Sequence, residues 1–378
     1  MKKIHTIVSI RRGILLAAVL SLGCLVHAAT AYELIDLGVP VGYTGSAATA
    51  INSHGVVTVN AKLGGTTQAY YYDGGLHSIT VAGATTTVAS GLNDNGLFVG
   101  TANFSSPDPT LGYLYNVNTS SITTFASPFF DDGTGDRVNN NGIALGYAHL
   151  HSPGGYIFES GTLTSLDSQT GYLGGYGEIN HNNQVLASSS TLQSYYVYDL
   201  GSGPLSGSTG LLNWNLYTAG NFNDNATIAG FIQANKDLFL TTPSSNLNNS
   251  TTDKGKIGLG INSVSDINNF DSVVGSYDVD GTAIRPFLFS NNNFVDLNDV
   301  ISAALGWTLL DASGINDKGQ IVGTGLAADG LEHAYLLNPT LSPVPEPSVY
   351  GLAGAGALIL AAWRRQRAKR QPVSAIAE

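Results

Sequence analysis

The sequence predicts an all-β chain, a seven-bladed β-propeller closed by its own N-terminal strand. Three observations carry this. A turn built on asparagine recurs seven times at near-constant spacing; an aromatic-aliphatic strand follows each copy; and the last copy lacks a final strand that the start of the body can supply. The propeller is assigned to residues 32–342, after an N-terminal signal peptide at 1–31 and before a C-terminal segment with a single membrane helix.

The turns read INSHGVVTV from Ile51, LNDNGLFVG from Leu92, VNNNGIALG from Val138, INHNNQVLA from Ile179, FNDNATIAG from Phe222, INNFDSVVG from Ile267 and INDKGQIVG from Ile315. They are 41, 46, 41, 43, 45 and 48 residues apart, close to the length of one four-stranded blade. Every copy keeps an asparagine: Asn52, Asn93, Asn139, Asn180, Asn223, Asn268 and Asn316. Its side chain can bond the backbone two residues on and start a tight turn between two strands. Three residues later stand Gly55, Gly96, Gly142, Asn183, Ala226, Asp271 and Gly319, mostly residues that tolerate positive φ. Ala226 breaks this rule, and Asn225 is expected to take the left-handed position there. Seven residues after each asparagine come Val59, Gly100, Gly146, Ala187, Gly230, Gly275 and Gly323. Their small size suggests close backbone approach between neighbouring units.

The following strands are QAYYY, LGYLY, GGYIF, SYYVY, DLFL, RPFLF and HAYLL, and several copies add a short fourth strand such as HSITV or NFVDL. One local helix is expected in NDVISAALGW, capped by Asp299. The last unit stops after HAYLLNPT, while ELIDL, at the start of the body, resembles NFVDL. Swapping that strand into the last unit closes a ring and removes the open edge. A six- or eight-membered ring and an open solenoid are the alternatives.

At the N-terminus, Lys2, Lys3, Arg11 and Arg12 precede an apolar run from Ile14 to Val26 and then small residues. This is the layout of a signal peptide, with the cut expected before Tyr32. The single cysteine, Cys24, leaves with it, so the mature chain can form neither a disulfide nor a thiolate nucleophile; a lipid-anchoring cysteine is the rival reading. At the other end, uncharged residues 348–363 precede Arg364 and Arg365. The run is short for a bilayer of about 30 Å, but Trp363 and snorkelling arginines can cover the difference.

Taken with VPEPS at Val344 to Ser348, this tail resembles the PEP-CTERM sorting signal. The resemblance implies a segment at 343–371 that is held transiently in the inner membrane of a Gram-negative bacterium and cut by an exosortase. Pro345, Glu346 and Pro347 would serve recognition, Arg364 and Arg365 would form the cytoplasmic stop, and 372–378 would be a short cytoplasmic tail. The body in turn resembles the HAF-repeat family of extracellular proteins. GINDKGQIVGTGLAADGLEHAYLL, Gly314 to Leu337, is close to that pattern with Tyr335 in place of phenylalanine, and Gln68-Ala69-Tyr70 approaches it elsewhere. That family is defined by its repeats and supplies no catalytic residue.

The chain holds 16 basic and 27 acidic residues. Removing four basic residues with the signal peptide, and five basic and two acidic with the tail, leaves the body 7 against 25, a net charge of about −18. Such a surface repels nucleic acid and anionic lipid.

No nucleophile elbow, zinc-protease helix or phosphate-binding loop occurs. Of the body's histidines, His54, His77, His149, His151, His181 and His333, only His149 and His151 share a strand face, and two ligands do not make a metal site. Acidic turns at Asp131–Asp136 and at Asp278 and Asp280 are calcium candidates, although aspartate with glycine is also ordinary turn chemistry. Tyr70, Tyr71, Tyr72, Tyr195, Tyr196, Tyr198, Trp214 and Trp307 could stack on sugars, or simply pack.

The expected function is that of a non-enzymatic protein, exported by way of signal peptidase and exosortase to the cell surface or matrix. Its role there is structural or adhesive, with no cofactor, and an extracellular polysaccharide is the expected partner. A saccharide-binding propeller, and then a propeller lyase or hydrolase, are the alternatives. Three or more convergent titratable side chains in one funnel would favour the enzyme, and a rim of exposed aromatics would favour sugar binding.

Overall fold

A computed structural model describes residues 31–105, 110–125, 133–148, 154–166, 176–189, 193–201, 203–204, 212–213, 215–242 and 251–340. Several expectations lie outside the described residues: the signal peptide, the sorting segment with Pro345, Glu346, Pro347, Arg364 and Arg365, the membrane helix, Asp131, His149, His151 and Trp214. Among the described residues no helix is long and apolar enough to cross a membrane.

Each asparagine turn joins the first two strands of an antiparallel unit, and all seven turns share one register. The residue before the asparagine pairs with the fifth after it: Ile51 with Val57, Leu92 with Phe98, Val138 with Ala144, Ile179 with Val185, Phe222 with Ile228, Ile267 with Val273, and Ile315 with Ile321. Five units form sheets of their own, such as Gly260–Ile267, Val273–Asp278, Ile284–Ser290 and Asn293–Asp296. A nine-stranded sheet holds the first and last units, joined by a parallel contact between Gly45 and Glu332. The fold is all-β and propeller-like.

Strand Ala31–Gly38 pairs with Glu332–Thr340 of the last unit. His333 clamps it: Nδ1 lies 2.9 and 3.0 Å from the two carboxylate oxygens of Asp36, and Nε2 lies 3.2 Å from Asp329. Ser46 donates its hydroxyl to the carbonyl of Gly38 at 2.7 Å, and Leu37 is buried.

The core lies between successive units. Leu186 and Val197 meet Phe222, Ile228 and Phe239 of the next unit. The last unit meets the first in the same way, with Val322, Ala334 and Leu336 packed on Ala48, Val57 and Val59. Burying a large aliphatic or aromatic side chain contributes about 1.5–3 kcal/mol, so each of these layers holds two units together.

Three local expectations are corrected. Ala226 itself takes the left-handed conformation, at φ 58°, as do Gly55, Gly96, Gly142, Asn183, Asp271 and Gly319, and Asn225 does not. The unit's register fixes the third position of the turn, and an alanine there carries the strain. Of the small residues seven after each asparagine, the glycines Gly100, Gly146, Gly230, Gly275 and Gly323 have their Cβ position filled by their own unit, whereas Val59 packs on the last unit. All seven pair with the aromatic of the third strand: Val59 with Tyr70, Gly100 with Tyr113, Gly146 with Tyr156, Ala187 with Tyr196, Gly230 with Phe239, Gly275 with Phe287, and Gly323 with Tyr335. Tyr113, Tyr156 and Tyr335 donate their hydroxyls to the first-strand carbonyls of Val88, Thr134 and Asp311, at 3.1, 2.6 and 2.6 Å, crossing the space where a side chain on the small residue would stand. Finally, NDVISAALGW forms two short 3-10 turns, Leu297–Asp299 and Ala303–Leu305. The cap is Asp296, which accepts from the Asn298 N–H at 2.8 Å.

Candidate functional site

In every turn the asparagine Oδ1 accepts the backbone N–H groups two and four residues on. For Asn268 these are Phe270 and Ser272, both at 3.0 Å. The Nδ2 group then reaches the next unit, and in Asn180 and Asn316 it also donates to Gln184 and Gln320 of its own turn. Asn52 donates to the carbonyl of Asn93 at 3.1 Å, Asn93 to Asn139 at 2.8 Å, Asn139 to Asn180 at 3.1 Å and Asn180 to Asn223 at 3.1 Å. Asn223 donates to Asn268 at 2.9 Å, Asn268 to Asn316 at 3.0 Å and Asn316 back to Asn52 at 2.9 Å. All seven asparagines are buried, and their bonds run in one sense around a central channel.

A cavity of ≈ 360 Å³ fills this channel. In five units the first strand shifts register between the fourth and second residues before the asparagine, as between Val264 and Asp266 or Ala219 and Asn221. Such a bulge re-aims the side chains beside it, and the second residue before the asparagine lines the cavity in six units: Ala50, Gly91, Arg137, Glu178, Asn221 and Asp266; in the last unit Gly314 holds that place. Four successive units therefore present polar groups to the channel, and the other three present little or none.

Arg137 Nε donates to Glu178 Oε2 at 2.7 Å, and Nη1 donates to the carbonyls of Asp136 and Ser90 at 3.0 and 3.4 Å. Glu178 holds the guanidinium above its ordinary pKa. Asp266 accepts from the N–H groups of Ile267 and Ile315 at 2.8 and 2.9 Å and from Asn221 Nδ2 at 3.3 Å. Burial, reinforced by the charge of Glu178, outweighs those bonds and pushes its carboxyl up to about 7.

Around the mouth, the residue after each asparagine forms a collar that includes Asp94, Asn140, His181, Asp224, Asn269 and Asp317. Its carboxylates are turned inward on the collar: Asp94 accepts from Ser53 and Asn140, and Asp317 from Asn269 twice. Asp224 accepts from the N–H of His181 at 2.8 Å and meets its Nδ1 at 3.0 Å. Burial pushes Asp224 up, but the bonds from His181 and Asn269 outweigh it and bring the carboxyl down to about 2. The same bond raises the His181 pKa.

Of the residues singled out from the sequence, the seven asparagines converge on one ring, and His54 and His181 stand in its turns. Asp278 and Asp280 serve turn geometry, accepting from Gly281 and from Thr282 and Ala283. Tyr71, Tyr196 and Tyr198 are buried, and Trp307 packs against the core and edge-on to His333. One exposed phenylalanine, Phe270, stands at the tip of the sixth turn. Among the described residues no group of three or more His, Cys, Asp or Glu could hold a metal ion. Sequence reasoning missed Arg137, Glu178, Asn221 and Asp266, although all four occupy the same offset from a turn asparagine.

The PEP-CTERM protein-sorting motif matches residues 343–366. It implies processing by an exosortase and an extracellular destination. No curated protein matches the chain. Among solved structures it is similar to YCF48 bound to D1 peptide, at 12% identity and TM-score 0.51 over 83% of this chain and 98% of that one. The β-propeller domain of the Trilobed protease from Pyrococcus furiosus matches at 8% identity and TM-score 0.51, over 81% and 98%. An oligogalacturonate lyase in complex with manganese matches at 11% identity and TM-score 0.50, over 83% and 95%. At such identities the likeness is one of fold alone.

Proposed function

We propose that the chain is an exported, exosortase-sorted protein whose body is a seven-bladed β-propeller closed by its N-terminal strand. It acts at the cell surface or in the extracellular matrix as a structural or adhesive component, without catalysis or a bound cofactor, and in contact with extracellular polysaccharide. The observation that carries this reading is the sorting motif at 343–366. The ring of asparagine bonds supports the blade count, because its seventh member returns to the first. In this reading residues 1–31 direct export and are removed by signal peptidase. The tail anchors the protein in the inner membrane of a Gram-negative bacterium until the exosortase reads Pro345, Glu346 and Pro347, with Arg364 and Arg365 as the stop.

The test is the mass of the mature protein in membrane and extracellular fractions, with and without the exosortase. Exosortase-dependent loss of both terminal segments is expected. An intact tail in both strains would mean a tethered periplasmic protein and would contradict sorting.

A second reading, a lyase or hydrolase of glycans, draws on one observation: Arg137, Glu178 and Asp266 line a single channel. It requires oligosaccharide products that appear with wild-type protein and vanish with Asp266→Asn.

A further inference from the structure

We propose that the central channel binds one or two residues of a neutral saccharide, held by the wall formed by Arg137, Glu178 and Asp266. This site is independent of whether the tail is cut.

The wall is not needed to build the ring. Units carrying Ala50, Gly91 and Gly314 at the same offset make the same turn and the same ladder bond as units carrying Arg137, Glu178 and Asp266. Charged groups in a confined channel carry a desolvation cost; Arg137 and Asp266 offset part of it through bonds with Ser90, Glu178, Ile315 and Asn221 of neighbouring units, bonds that the units carrying Ala50, Gly91 and Gly314 do without. The small residues opposite leave the space open. At ≈ 360 Å³ the cavity falls in the range of small-molecule sites, about 300–1,000 Å³.

The open hydrogen-bonding positions select the ligand. With Nε and Nη1 engaged, Arg137 Nη2 makes no hydrogen bond among the described residues. Glu178 Oε1 receives only a long 3.4 Å bond from the N–H of Ile179. A donor therefore stands beside an acceptor on one wall. A hydroxyl group uses both at once, accepting from the guanidinium and donating to the carboxylate, and neighbouring hydroxyls of a sugar repeat that pattern. An anionic ligand would leave Glu178 and Asp266 opposed to it, with Asp94, Asp224 and Asp317 lining the same cavity. A metal ion would meet the guanidinium inside, and at the mouth carboxylates already receiving N–H donors.

The test is titration calorimetry on the mature full-length protein. The probes are neutral tetrasaccharides of glucose, mannose and N-acetylglucosamine, with tetragalacturonate as the anionic counterpart and the glucosamine tetramer as the cationic one. At least one neutral probe is expected to bind about tenfold or more tighter than both charged ones. Arg137→Gln with Glu178→Gln, which removes the donor and acceptor together, is expected to weaken it about tenfold. Ala50→Leu, which fills the open side without touching the charges, should do the same. No binding by any neutral probe, equal or tighter binding of a charged one, or unchanged affinity in folded variants would overturn the proposal. The charge preference of the wild-type protein decides it even where a variant fails to fold.

Discussion

The side-chain amide of Asn316 donates to the backbone carbonyl of Asn52 at 2.9 Å, across 264 residues of sequence. The six other ladder bonds join neighbouring units, and this one joins the last to the first. It also comes from a residue whose Oδ1 organises its own turn, receiving the N–H groups of Lys318 and Gln320 at 3.0 and 3.1 Å. One side chain therefore shapes a hairpin and bonds the last unit to the first.

Replacing Asn316 by alanine leaves the N–H groups of Lys318 and Gln320 without their acceptor and takes one of two donors from the carbonyl of Asn52, which keeps the N–H of Gly55. Buried polar groups that lose their partner cost about 1–3 kcal/mol, so Asn316→Ala should destabilise the protein by at least about 2 kcal/mol in urea unfolding. A loss below about 0.5 kcal/mol, the scale of an ordinary surface substitution, would mean the ring bond carries no weight.

Gly146 is pressed between the carbonyl of Thr134 and the ring of Tyr156, where a Cβ has no room. Gly177, in the next unit, has nothing within 4 Å of a built Cβ. Gly146→Ala should therefore cost about 3 kcal/mol or more, the upper end of overpacking effects. Gly177→Ala should leave the thermal midpoint nearly unchanged. Equal midpoints for the two variants would contradict the aromatic-over-glycine arrangement.

Deleting residues 32–38 removes buried Leu37 and the Asp36–His333 clamp. It also uncovers the strand Glu332–Thr340 as a free edge, which favours pairing with another chain. Size-exclusion chromatography should show oligomers or loss of soluble protein, whereas a stable monomer would show that the strand is dispensable.

The pH dependence has parts of opposite sign, and His181, raised by its bond to Asp224, adds to the decline as pH rises past about 6.5. Asp266 is raised to about 7 in the folded protein against about 3.9 when unfolded, so the folded state holds its proton more tightly. Its contribution is greatest below pH 4 and declines as pH rises toward 7. Asp224, lowered to about 2, behaves oppositely: its contribution is present above pH 4 and is lost as pH falls toward 2. The urea midpoint should therefore fall between pH 5 and pH 8, and Asp266→Asn should flatten that decline. A variant with the wild-type slope would remove Asp266 as one of its sources.

Much of the frame could be read from the sequence, because a turn asparagine and a left-handed third residue are local requirements that each repeat must satisfy for itself. Asn52 and its six counterparts were visible for that reason. Their amide bonds to the next unit were not, since a donor aimed across 41 to 48 residues leaves no local trace. The channel wall was hidden similarly. Arg137 and Asp266 look like ordinary strand residues until the asparagine ring marks the axis, after which their shared offset identifies them. The neighbour of a small residue such as Gly146 is not legible either, because alternation along a strand does not say whether a tight contact comes from the same sheet, as at Gly146, or from the next unit, as at Val59. The tail motif is legible in the sequence alone, and the processing it implies rests on an exosortase.

Ring closure can be measured most directly through the ion pair between Lys62 of the first unit and Glu332 of the last. Their charged atoms lie 2.9 Å apart and both side chains are about half exposed, at 51% and 45%. Such a pair contributes little to stability but is well placed for a zero-length carbodiimide link. Treatment of the monomer, followed by digestion and mass spectrometry, should yield a peptide in which Lys62 and Glu332 are joined by an amide. Its absence from monomer whose other carboxylates have reacted, or its appearance only in dimers, would contradict a ring closed within one chain.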